Sequence, residues 1–410
     1  MGEALVPFQS GLPEGREESL TRQFYQWEKR GRGWQLCSYP VELEPPFRPL
    51  IIFETGLGTV ADDGRIHSFW SRIRSNEQPE KARSGPTASE YMRQIAELDE
   101  PLVCQYDNDD FHELQIILPR DLRITKSISD RLLLSATYCT NPIAFELVGT
   151  EDEVTVQMAA TDRDVDQLTE QLTAHLPDAI VRRTDGNVLH ATWESRFGST
   201  LIADFGLSNE FIIPLNTISN LEADPLVSVV GALSHLRPGE TGVLQVLFQR
   251  TRNDWATEIL DSVQFLDGTP FFSNAPEFIS HAKRKVMSPI YAVVLRTAVK
   301  CEDRARAIKL VRSLGSGLSL LASPSGNELI PLSNDDYDDD YHEVALLYRQ
   351  TFRPGMLLNL DELVSIVHPP TLSVRSEKLV RESEHTKAAP RLVIGNELIL
   401  GKNVHGDESV

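Results

Sequence analysis

The sequence predicts an α+β protein built from tandem split βαβ, ferredoxin-like modules, with an irregular N-terminal region and a C-terminal linker. Three stretches carry that reading. Val154–Ala160 alternates and is rich in β-branched residues; Val165, Leu168, Leu172 and Leu176 then fall at helical spacing, and Ala179–Arg183 reads as a returning strand. The same order recurs as a strand Tyr291–Val299, a helix Arg304–Leu314 opened by Cys301-Glu302-Asp303, and a short strand Leu318–Ala322. A partial third copy is the strand Gly242–Gln249 followed by a helix around Trp255–Val263. Units of this size suit ferredoxin-like modules. The expected division is an N-terminal region 1–135, a first module 136–265, a second module 266–330 and a tail 331–410.

The N-terminal region opens with aromatic and basic residues interleaved. Arg22, Trp27, Lys29, Arg30, Arg32 and Trp34 are candidate nucleic-acid contacts, because aromatics beside Arg can stack on the bases of a single strand. The competing reading is a short helix with Phe24 and Trp27, at i and i+3, packed on the core. Prolines force Pro40–Pro49 into an extended arm. Ala88–Leu98 reads as a helix capped by Thr87, residues 111–118 as a strand, and Ile128–Tyr138 as either. The predicted acidic first turn of the helix at Val165 is capped from Thr161-Asp162-Arg163-Asp164.

The tail changes character. Asp335–Asp340 is an acidic loop, and Met356–Pro370 reads as a strand, a capped short helix and a hard stop at Pro369 and Pro370. Residues 372–390 read as a charged linker and Arg391–Leu400 as strand–turn–strand.

Composition narrows the function. The chain has 410 residues, room for two or three domains, and its 41% hydrophobic content is that of a folded protein. Its net charge of −20, from 40 basic and 60 acidic residues, excludes a protein that coats a polyanion with its whole surface. A local basic face is compatible with it. Apolar runs such as Leu226–Leu233 are far shorter than the roughly 20 residues of a membrane span. The N-terminus lacks a signal pattern, and Val6 stands where myristoylation requires Ser or Thr. Cytoplasmic residence with no membrane partner is expected. Cys37, Cys104, Cys139 and Cys301 form no CxxC pair and read as reduced thiols.

Catalytic patterns are incomplete throughout. A phosphate loop needs Gly-x-x-x-x-Gly-Lys-Ser/Thr; Gly395…Gly401-Lys402-Asn403 has its glycines one residue too far apart and Asn403 in place of the hydroxyl. The Asp335–Asp340 run lacks the central glycine of an EF-hand loop. The histidines show neither HxxxH nor HExxH spacing, and no GxSxG elbow occurs. His368, ahead of two prolines, reads as a helix-ending structural residue.

One segment carries a family resemblance. Leu357–Pro370, LLNLDELVSIVHPP, resembles the "LN-x-x-EL-hydrophobic-x-hydrophobic-x-H-x-P" segment just ahead of the motor in HerA/FtsK-type ATPases, including conjugative coupling proteins of type IV secretion. Leu398–Gly406 is similar to the strand and turn that precede the Walker A loop there. The WEKRGRGW…LEPPFRP opening, Phe205–Leu215 and Phe352–Asn359 are also similar to that family's N-terminal regions. The resemblance implies a non-catalytic interaction or guiding region of a DNA-translocating ATPase, with no catalytic, cofactor or metal residue of its own. ATP and magnesium would belong to the motor, which is the expected partner, with a homo-oligomer formed through it and local DNA contact among the expectations. The sequence is expected to stop before the family's Walker A and Walker B segments. Two alternatives stand beside this: a metal-dependent hydrolase formed by the acidic loop, with Asp338 and Asp340, and the scattered histidines, and a stand-alone single-strand-binding adaptor.

Overall fold

The computed structural model describes residues 16–50, 101–104, 111–184, 186–218, 224–265, 268–334 and 339–382. The expected helix Ala88–Leu98, the first four residues of the acidic run (335–338) and the strand–turn–strand Arg391–Leu400 lie outside them.

The first four strands are β1 (Phe111–Ile117), β2 (Ile143–Gly149), β3 (Val154–Thr161) and β4 (Ile180–Arg183). Helix α2 (Lys126–Ser135) links β1 to β2, and α3 (Val165–His175) links β3 to β4; α1 (Arg16–Glu28) precedes them. The spatial order is β4-β1-β3-β2, every neighbouring pair antiparallel. That is a split βαβ unit used twice, the ferredoxin-like arrangement. After α4 (Val188–Glu194) the scheme repeats: β5 (Ser199–Leu207), α5 (Leu226–Ser234), β6 (Thr241–Arg250), β7 (Ile290–Cys301), α8 (Arg304–Ser316) and β8 (Leu329–Pro331). Helices α6 (Trp255–Asp261) and α7 (Glu277–Lys285) occupy the link between β6 and β7. The second set is ordered β6-β7-β5-β8, the mirror sequence of the first.

The two sets join through β2 and β6, the second strand of each, paired antiparallel from Ile143↔Phe248 to Gly149↔Gly242. Equivalent strands paired antiparallel are related by a local two-fold axis normal to the sheet, so the crossover helices of both sets share one face. The modules therefore group as 111–183 and 199–331, not as the expected 136–265 and 266–330. The expected partial third copy, Gly242–Gln249, is the second module's own second strand. β9 (Met356–Asn359) pairs with the first residues of β7. It is followed by α10 (Leu360–Val364), and α9 (Asp339–Leu347) precedes it.

Helix α5 seats over the joint. A Cβ on Gly149 would lie 2.8 Å from Leu233 Cβ, and one on Gly242 would lie 2.9 Å from Leu233 Cδ2. Glycine at both positions lets the helix approach the backbone this closely. The opposite sheet face is covered by α4 and α9, whose Leu189, Trp193, Leu346 and Leu347 pack on Val148 and Val243. With both faces covered, the interior strand β7 is buried at all but one of its positions.

Other expectations changed. Leu318–Ala322 is not a strand; Gly317–Leu321 is a 3₁₀ turn, and the fourth strand of the module is Leu329–Pro331. A Cβ on Gly317 would lie 2.4 Å from Pro225 O, so the chain turns where it meets α5. Ile128–Tyr138 resolves into α2 and a 3₁₀ turn, with Thr125 capping Ile128 N. Asp164 is the N-cap residue of α3, but its carboxylate accepts Thr140 N (2.8 Å) and Asn141 N (2.9 Å) instead of capping the helix. The expected linker is structured as far as residue 382: Val374 and Leu379 are buried, and Val154 N donates to Lys378 O while Val380 N donates to Val154 O. This strap is tied at Lys378–Val380 to the start of β3 in the first module.

Candidate functional site

Strand register brings five polar residues into a straight row on the α4/α9 face. Gln157, Glu146, Gln245, Arg296 and Asp204 sit directly opposite one another across β3, β2, β6, β7 and β5. All five are buried. Buried polar groups persist where they are paired, and most atoms of this row are. Glu146 accepts from Gln157 Nε2 (2.7 Å), Gln245 Nε2 (2.8 Å) and Arg349 Nε (3.0 Å). Arg349 also reaches the Glu113 carboxylate. Glu113 in turn accepts Val188 N (2.7 Å) and Leu189 N (3.1 Å), holding the start of α4.

Arg349 closes the row from the loop after α9. Its φ of 54° is the only positive value at a non-glycine position among the described residues. Such a conformation is uncommon for a long side chain and persists where surrounding contacts over-determine it. Here two buried carboxylates hold the guanidinium, while Gln350 N donates to Ala345 O.

At the other end Asp204 meets three basic side chains: Arg296 Nε at 3.6 Å, His342 Nε2 at 3.2 Å and Arg353 Nε at 3.5 Å. Burial pushes its carboxyl up, but His342 and the two guanidinium charges outweigh that and hold it below the usual range. The same logic governs Asp224, which burial raises and which His368 Nε2 (3.1 Å), Thr371 Oγ1 (2.7 Å) and Leu226 N (2.8 Å) lower further.

The segment that carries the family resemblance is built into the interior. Asn359 and Glu362 form a reciprocal capping box at α10. Glu362 also accepts Leu215 N (2.7 Å) and pairs with Lys285 Nζ at 2.7 Å, both ions fully buried. His368 Nδ1 lies 2.8 Å from Val364 O, so its ring closes the helix end. Each of these three polar motif residues is engaged within the fold.

The six candidate nucleic-acid contacts separate. Trp27 is 3% exposed, packed at tilted ring angles among Phe24, Phe211 and Trp255, with Nε1 donating to Arg48 O at 2.9 Å. It has no face left for a base. Arg32 is also turned inward, its Nε donating to Glu28 at 2.7 Å and its Nη1 to Ser208 O at 3.1 Å. Burial pushes the Glu28 carboxyl up to about 7 against the pull of Arg32. Arg22 and Lys29 are exposed, and Arg30 and Trp34 are half-buried. Lys29, Arg30 and Trp34 share one cleft of about 550 Å³ with Arg48, which the sequence did not single out.

Among the described residues, no group of three or more His, Cys, Asp or Glu could hold a metal ion. No helix among them is long and apolar enough to cross a membrane. Burial raises the thiols of Cys37, Cys139 and Cys301, with Cys139 pushed up to about 12, which leaves them protonated and weakly nucleophilic.

Residues 127–267 match the family model described as "Domain of unknown function (DUF8128)". The match begins in α2 and ends beyond α6, so it takes in the β2–β6 joint and parts of both modules. No curated protein matches the chain. A solved structure described as "Structure of FgChi7B" aligns at 10% identity and a TM-score of 0.28, over 59% of this chain. The alignment spans about half of that protein, 51% of its length, and carries no argument here.

Proposed function

We propose that the chain is a non-catalytic interaction region that works beside a DNA-translocating ATPase of the HerA/FtsK type, in the cytoplasm. The observation that supports this best is the segment Leu357–Pro370. It resembles the segment ahead of the motor in that family, and its Asn359, Glu362 and His368 hold β9, α7 and the Asp224 loop together. A rigid mount of this kind suits a part that transmits position and force. The matched domain family carries no assigned function, so the reading stands on the resemblance and the geometry.

The polar row fits the same account. Its carboxylates face arginines and backbone amides of the chain itself, and they lie under α4 and α9 instead of lining a substrate cleft. ATP and magnesium belong to the motor in this reading, and the motor is the partner. The test is ATP turnover by the purified chain, with and without DNA. The account expects none above background. Turnover near the ~10 per second typical of enzymes, following the chain through successive purification steps, would overturn it.

A further inference from the structure

The clefts of this molecule differ in charge. The cleft of about 430 Å³ beside β6 is lined by Glu42 and Asp162 as well as Arg163 and Arg252. The larger opening along the strap, about 1050 Å³, is lined by Asp152, Glu153 and Glu377 among its basic residues. Among the described residues, the cleft beside α1 has no carboxylate in its lining, and neither has the one of about 380 Å³ along α8, in a chain with 60 acidic and 40 basic residues.

Its walls are fixed by the fold. Gln23, Gln26, Lys29 and Arg30 follow one another at helical spacing along α1 and the 3₁₀ turn Lys29–Gly31. Gly31 packs flat on Phe211, where a Cβ would lie 2.5 Å from the ring, and Gly33 (φ +78°) turns the chain so that Trp34 comes back beside Arg30. Trp34 is pinned by Nε1 to Leu207 O (2.8 Å), and the Arg32 guanidinium lies 4.7 Å from its ring center. The third wall, Arg48–Leu50, is held by the Trp27 bond to Arg48 O and by Leu50 N donating to Glu258 Oε2 (3.1 Å). Tryptophan, glutamine amides and cations are thus presented in place before any ligand arrives.

We propose that this cleft binds single-stranded nucleic acid, with a base against the Trp34 indole, base edges on Gln23, Gln26 or Gln35, and a backbone phosphate on Lys29. Indole faces stack on any base, and glutamine amides both donate and accept. Arg30 and Arg48 already hold contacts within the chain, so the phosphate falls to Lys29 and the arginines add field. A volume of about 550 Å³ is the size of a small-ligand pocket and has room for roughly one or two nucleotides. The sequence-level contact set is thereby changed: Trp27 and Arg32 leave it as supports, and Arg48 and the glutamines enter. This inference does not depend on the ATPase partner, and either can fail alone.

The test is fluorescence anisotropy of the full chain with a labelled oligo-dT of about 20 nucleotides and with a duplex of the same length, across a salt series. Binding to the single strand should weaken with salt. Lys29→Glu should reduce affinity about tenfold at low salt and lower the salt slope by about one, as loss of one phosphate contact does. Trp34→Ala should reduce it about tenfold, and Trp34→Phe, which keeps a stacking face, clearly less. Lys309→Glu, an exposed cation on α8, should leave it unchanged. Thermal unfolding of each variant separates loss of binding from loss of fold. No binding to the single strand at low salt overturns the proposal. So does equal binding to duplex, or a Lys309→Glu effect as large as that of Lys29→Glu.

Discussion

The polar row under α4 and α9 and the cleft beside α1 are made from similar side chains and differ in where their partners are. In the row, Glu146 has three side-chain donors and Glu113 has two backbone amides and a guanidinium, all from the chain itself. In the cleft, Lys29 and the glutamines point to solvent from anchored walls. Buried carboxylates whose hydrogen bonds are met within the chain belong to its architecture. Polar groups held in place and facing water are where another molecule finds donors and acceptors. The account therefore assigns architecture to the first region and contact to the second.

The largest effect expected is at the row. Arg349→Ala leaves Glu113 and Glu146 buried without their cation and should cost about 3–5 kcal/mol, read as a lowered urea midpoint. A loss under about 1 kcal/mol would mean the row is not the structural element described. Lys285→Met should cost a similar ~3 kcal/mol, because Glu362 stays buried, and the double variant Lys285→Met with Glu362→Leu should cost less than the sum of the singles.

Acid should act on the same interior. Asp204 and Asp224 are held below the usual carboxylate range in the folded chain. Their stabilisation is fully present above the unfolded value of about 3.9 and is lost as pH falls through the folded values. Urea midpoints measured downward from pH 6 should therefore fall, and Asp224→Asn should flatten the decline. Asn359→Ala removes the α10 cap and should cost about 1–2 kcal/mol. The smallest effect belongs to the cleft: Lys29→Ala should change stability by less than about 0.5 kcal/mol while weakening single-strand binding.

The fold was legible wherever a signal is local. The alternation at Val154–Ala160, the helical spacing of Val165, Leu168, Leu172 and Leu176 and the capped short helix ahead of Pro369 all lie within a few residues of chain. The module boundaries are not, because no compositional break separates β1 and α2 from β3 or marks β6 as a strand of the second module. β7 is buried on both faces, so it shows a continuous apolar run whose neighbours cannot be read from it. The row was invisible for a related reason. Arg349 meets Glu113 and Glu146 from 236 and 203 positions away, and only the strand register aligns them. Trp27 and Trp34, in contrast, look alike in sequence; Phe211 and Trp255, contributed from far along the chain, decide which one is buried.

The central claim is that this chain supplies contacts to a motor and performs no chemistry itself. Sedimentation velocity of the chain mixed at about 10 μM with the HerA/FtsK-type motor polypeptide of the same cell tests it most directly. The account predicts a faster boundary containing both polypeptides, retained by Lys29→Glu and lost when the chain is unfolded in urea. Two independent boundaries at that concentration, with both proteins folded, would contradict it.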